Sequence, residues 1–192
     1  MSRKFILAGA LFSLAACEAG ETDTNPSAVG CEVALAYAEE FVREIRAIDD
    51  LASRRIALSP SAGLTVTTQE QLDMLEAQDP NIVNDPEYEL VAAAVRHREL
   101  NVLNLCPSLR KWVERENVLT DKDEIARLTR PEEWTIVVLT LSMPVITSDS
   151  RKALVYTADY AGGLAGATFA VTYERDDGGN WQVTDKQMLS IS

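Results

Sequence analysis

The feature that most constrains this chain is a change of period at Trp134. Before it, apolar residues recur three and four positions apart; after it, they alternate. The first spacing puts apolar groups on one face of a helix, and the second puts them on one face of a strand. A chain with helices first and strands last builds an α+β fold. The expected architecture is N-terminal helices packed on a C-terminal four-stranded antiparallel meander.

The helical part divides at its capping signals. Ala34, Ala38, Phe41, Ile45, Ile48 and Ala52 form one apolar face, which predicts a helix from Cys31 to about Arg55. Glu39–Arg43 and Asp50–Arg54 pair one turn apart on its wet side. Ser59-Pro60-Ser61-Ala62-Gly63 ends it. Thr68 and Gln71 have capping-box spacing and start a short helix. Asp85 then serves as N-cap with Pro86 in the first helical position. This third helix carries Tyr88, Val91, Val95, Val102 and Leu105 inward and stops at Cys106-Pro107. Short helices are expected at Leu109–Arg115 and at Lys122–Leu128, the latter capped by Thr120.

The strand part is punctuated by turns. Thr135–Met143 is β-branched and apolar. Lys152–Tyr160 alternates, and so does the stretch carrying Phe169, Val171 and Tyr173. Ser148-Asp149-Ser150, Gly162–Gly166 and Asp176–Asn180 separate these runs, and Trp181–Leu189 returns as the last strand. Tyr156, Tyr160, Phe169, Tyr173 and Trp181 are read as an aromatic patch on one sheet face. Such a patch is either core packing or a binding face for a protein, peptide or glycan.

The first seventeen residues carry a different kind of information. Arg3 and Lys4 precede an apolar run, Phe5–Leu14, that is shorter than the roughly 20 residues a bilayer span needs. Leu14-Ala15-Ala16-Cys17 follows, and it resembles the lipobox of bacterial lipoproteins. That resemblance implies a signal peptide over residues 1–16, cleavage before Cys17, and acyl chains of the palmitate type on Cys17. Two or more chains anchor stably. With Glu18 next, the resemblance also implies the outer membrane, facing the periplasm. Residues 17–30 then read as the lipidated cysteine and a polar tether, and residues 31–192 as a single α+β domain.

Loss of Arg3 and Lys4 leaves 16 basic residues against 30 acidic ones, a net charge of −14. A polyanion without a basic run is a poor ligand for nucleic acid. In the oxidising compartment that the lipobox implies, Cys31 and Cys106 are expected to form a single disulfide, the alternative being two buried thiols.

Ser142-Met143-Pro144-Val145-Ile146, Ala153-Leu154-Val155-Tyr156, Gly162-Gly163-Leu164-Ala165-Gly166 and Asn180-Trp181 follow one another in the meander. They resemble the C-terminal region of a loose group of uncharacterised bacterial envelope proteins. Ala161 and Ala165 stand where some members carry cysteine. The group has no assigned reaction, so the resemblance implies no catalytic residue and no cofactor.

The residues with chemical potential read as structural. His97 lies between Arg96 and Arg98 with no carboxylate one turn away to orient it. Asp121, Asp123 and Glu124 lack the further ligands of a calcium loop, so no metal site is expected. Asp176-Asp177 precede two glycines and fit a hairpin. Gly162–Gly166 is followed by a strand, whereas phosphate cradles precede a helix. Neither C-x-x-C nor G-x-S-x-G occurs. The expectation is a non-enzymatic, lipid-anchored binding or assembly module. The alternatives are a small-ligand carrier with a pocket between sheet and helices, and an envelope hydrolase built from carboxylates.

Overall fold

In the computed structural model, residues 26–59, 64, 67–130, 134–162 and 166–191 are described. The apolar run after Trp134 becomes β2 (Ile136–Leu141), every residue of which is buried. A strand buried on both faces is apolar throughout and does not alternate. Its neighbours are β1 (Arg55–Ser59), parallel, with Arg55 opposite Ile136, and β4 (Lys152–Tyr160), antiparallel, with Leu139 opposite Asp159. β5 (Gly166–Arg175) and β6 (Trp181–Ile191) continue outward in antiparallel register. A two-residue β3 (Val145–Ile146) also pairs with β4.

The sheet is therefore a mixed one of six strands, and the expected meander is its antiparallel part with two changes. One is the parallel strand β1, which begins where the first helix is expected to end and has no counterpart in the expected meander. The other is a break between β2 and β3. There the backbone N–H of Ser142 donates to Tyr156 O, and the Tyr156 N–H donates to Ser142 Oγ, each at 2.9 Å. Pro144 has no N–H to carry the ladder on.

Helices lie on both faces of the inner strands. On one face is α1 (Pro26–Arg46), whose Val33, Ala34, Tyr37, Ala38, Phe41 and Ile45 are buried. Beside it sit α4 (Val102–Leu105) and α5 (Pro107–Arg115), which add Leu103, Leu109 and Trp112 to the same core as Val137, Leu139 and Val155. On the other face α3 (Pro86–His97) packs Leu90 and Ala94 against Leu154 and Tyr156. α2 (Gln69–Gln78) rests on α3 through Leu72. α6 (Lys122–Leu128) sets Ile125 over Ala57, Ile136 and Val138.

Helix boundaries follow local chemistry. α1 begins five residues before Cys31, so the Pro26–Gly30 end of the expected tether is helical. Gly30 is buried there, and a Cβ on it would stand 3.0 Å from Pro144 O. It is a close-packing residue and no hinge. α1 also ends at Arg46, short of the expected Arg55, where the Arg46 guanidinium donates to the carbonyls of Ala52 and Arg54. Such a side chain satisfies carbonyls left open after a helix end. Thr68 and Gln71 form the capping box, and Asp85 caps α3 by accepting from Glu87 N at 2.8 Å. The expected run from Tyr88 to Leu105 breaks into α3 and α4, because Asn101 accepts from the backbone N–H groups of Leu103 and Asn104 and caps a new helix. Leu105 is consequently exposed. Asp121, rather than Thr120, caps α6.

Cys31 and Cys106 sit at disulfide distance, with Cα atoms 5.2 Å apart and a sequence separation of 75. The bridge ties α1 to the α4–α5 junction. Leu14–Cys17, the rest of the tether through Asn25, and Gly163-Leu164-Ala165 lie outside the described residues.

Candidate functional site

The register of β4, β5 and β6 decides where each aromatic ring points. Tyr156 stands opposite Ala170, and Val155 opposite Val171. Tyr156 and Tyr160 therefore share one face, and Phe169, Val171 and Tyr173 share the other. The expected single patch is two half-patches. Tyr156 is buried beneath α3, and Tyr160 packs with Ile136 and Val138. Tyr173 and Trp181 join the α1 face. Only these two of the four proposed binding residues come together.

β6 carries an irregularity that alternation conceals. Its register with β5 shifts twice, between Thr172 and Tyr173 and between Thr168 and Phe169. Each shift places one extra residue, Thr184 and then Leu189, in β6. A bulge resets which face the following side chains occupy. Trp181 and Val183, then Lys186 and Met188, then Ile191 thus all fall on the α1 face, while Gln182, Asp185, Gln187 and Ser190 face the other way. α1 covers β4 and β5 but stops short of this strand. Val183 is 49 % exposed, Met188 52 % and Ile191 76 %. Among the described residues these are three of the nine large apolar side chains so exposed, and no strand pairs with the outer edge of β6. Concentrated exposure of this kind marks a surface made to be covered.

Between the stripe and α1 runs a trench of about 330 Å³, walled by Tyr37, Glu40 and Glu44 on the helix and by Tyr173, Trp181, Val183 and Lys186 on the strands. Its floor is well ordered by a hydrogen bond of 3.0 Å between Tyr37 Oη and the fully buried Thr157 Oγ1. Burial pushes the Tyr37 hydroxyl up to about 12, against the Thr157 bond, with Asp159 and Glu44 adding to the rise. Burial raises Tyr173 too, assisted by Tyr37, Glu40 and Glu44. Partial burial holds the Asp159 carboxyl above its ordinary value, opposed by Lys186. The Lys186 ammonium lies 4.8 Å from the Phe169 ring centroid and 5.8 Å from that of Tyr37. Arg175 lies 5.7 Å over Trp181, and the buried indole N–H of Trp181 finds no acceptor among the described residues. The trench combines rings and carboxylates, the pairing that favours cationic side chains.

On the opposite face a groove of about 400 Å³ separates α3 from β5 and β6. Leu90, Val91, Leu154 and Leu189 line it together with Glu87, Lys152, Glu174 and Asp185. The other residues singled out from sequence are structural. His97 is exposed in the last turn of α3. Asp176 accepts from Asn180 N at 2.8 Å, which closes the hairpin and lowers its carboxyl. No group of three or more His, Cys, Asp or Glu among the described residues is placed to hold a metal ion, and none of the described helices is long and apolar enough to cross a membrane. Tyr37, Glu40, Glu44, Val183, Lys186 and Met188 were missed by sequence reasoning. The only available signal was the +3 spacing of Val183 to Lys186 and of Met188 to Ile191. Comparison with protein-family models, curated proteins and solved structures found no match.

Proposed function

We propose that this chain is a lipid-anchored, non-enzymatic binding module of the bacterial envelope, held at the outer membrane through Cys17. Its binding surface is the α1 face of β6. The observation that carries this reading is the exposed stripe Val183–Met188–Ile191 beside the Tyr173–Trp181 trench. Aromatic and apolar groups at the centre of a surface with charges at its rim are the usual composition of an interface. The anchor adds effective concentration, because a tethered module meets envelope partners without diffusing away. The test is crosslinking of native envelopes with mass spectrometry, comparing the unaltered chain, Cys17→Ala and Met188→Asp. A defined partner is expected with the unaltered chain, and each substitution should reduce it. Recovery of the same proteins from all three would refute both the anchor and the surface.

A carrier role for the groove beneath α3 is the second reading, favoured by the row of Leu90, Val91, Leu154 and Leu189 along it. A nonpolar fluorescent dye that binds the full chain, and is lost with Leu90→Glu but kept with Met188→Asp, would support it.

A further inference from the structure

We infer that the occupant of the β6 surface is an amphipathic, basic helix of a partner polypeptide, laid alongside α1. The inference rests on the binding reading above and names the partner's chemistry.

Three observations select that chemistry. First, the two bulges interrupt the free edge of β6. Only Asp185–Met188 runs regularly between them, too short for a firmly added strand. The same bulges collect the apolar side chains on one face, so the strand offers a surface and not an edge. Second, that surface lies next to a helix already seated on the sheet. From Val183 to Ile191 it runs alongside Tyr173 to Ala167, about 20 Å at roughly 3.3 Å per paired residue. A helix of about 13 residues matches that length at 1.5 Å per residue. Third, the α1 wall of the trench is acidic. Glu40, which also pairs with Arg43 of its own helix, and Glu44 line the trench, and the only cation among the lining residues, Lys186, is folded over Phe169 and Tyr37. Lys or Arg on the partner's near flank would meet carboxylates and aromatic rings together.

Charge also argues against a second copy as the occupant. The chain carries −12 overall. Among its described helices, α2 is the one that exposes two large apolar groups, Met74 and Leu75, and it is acidic as well. That helix would bring carboxylates against Glu40 and Glu44, and like charges across an interface select against a pairing.

The experiment places a photo-crosslinking amino acid at Met188, or at Gln187 on the opposite face, in the full chain within its native cells. Mass spectrometry then reads the sequence of the captured peptide. The expected result is capture at position 188 and not at 187. The captured segment should repeat its apolar residues at helical spacing and carry net positive charge. Glu40→Lys with Glu44→Lys should cut its yield at least tenfold, and Glu40→Gln with Glu44→Gln should cut it less. Circular dichroism of the purified variants checks that both are folded. Capture of an acidic or non-periodic segment, of an extended strand, or of this chain itself overturns the inference and leaves the surface standing. So does a yield indifferent to both charge variants. Absence of any capture at 188 removes the inference and the surface together.

Discussion

The two flanks of the sheet obey different rules. β2 and the Ala153–Ala158 run of β4 are covered by α1 and α5 on one side and by α3 and α6 on the other, and every side chain there is buried. β6 is the longest strand, yet no residue in it is buried. An ordinary outer strand in that position would turn polar side chains to water on both faces. β6 does so only on its α3 side. The difference teaches that burial and apolarity are decoupled here. In the inner half, apolar side chains stabilise the fold. In the outer half they stay exposed and contribute little to it.

Four measurements test that contrast. Leu139→Ala in the covered half should cost about 3 kcal/mol of unfolding free energy in a urea titration, as buried leucine truncations do. Met188→Ala should cost less than about 0.5 kcal/mol, in keeping with a surface site. Equal losses would erase the distinction. A smaller effect is expected at the trench floor. Thr157→Val strands the buried Tyr37 hydroxyl and should cost about 1–2 kcal/mol, whereas Tyr37→Phe combined with Thr157→Val should recover most of that. A double-mutant cycle that shows no coupling would mean the pair does not order the floor.

The third measurement is of pH dependence. Asp159 has a raised carboxyl in the folded state, so the folded chain binds its proton more tightly than the unfolded chain does. Its contribution to stability is fully present below the ordinary carboxylate value and is lost as pH rises through the raised one. Asp159→Asn should flatten that part of the stability–pH profile and leave the protein slightly more stable at neutral pH. Asp149 and Asp176 run the other way. Their carboxyls are lowered, chiefly by a hydrogen bond from the Thr147 hydroxyl and from the Asn180 backbone respectively, so their contribution is lost as pH falls. A further small effect should come from Trp181→Phe. It removes an indole N–H without an acceptor among the described residues and should shift stability by less than about 1 kcal/mol, toward the stable side. A loss of 2 kcal/mol or more would reveal a partner for that N–H.

Much of the fold was legible in the sequence wherever it is specified locally. The period change at Trp134, the Thr68–Gln71 capping box, Asp85-Pro86 and the Asp176–Asn180 hairpin each act over a few residues. β1 was not legible. Arg-Ile-Ala-Leu-Ser is too short to show a period, and partners far along the chain, Ile136–Thr140 on one side and Leu119 on the other, make it a strand. Gly30 was misread for a similar reason: a glycine that admits a close neighbour looks the same in sequence as one that frees a linker. The exposed apolar stripe of β6 was hidden most completely. Strict alternation assigns Trp181 and Val183 to one face and Lys186 and Met188 to the other. The extra residue at Thr184 reverses that assignment, and backbone register alone reveals it.

The Cys31–Cys106 bridge sits close to the point where the chain enters the fold. A pull on the segment preceding Cys31, resisted at the far end of the sheet, crosses the sulfurs and passes to Cys106. The covalent path therefore bypasses the residues between the two cysteines, which hold most of α1, all of β1, the α2–α3 pair and α4, and that stretch, Glu40 and Glu44 included, cannot be drawn out while the bridge holds.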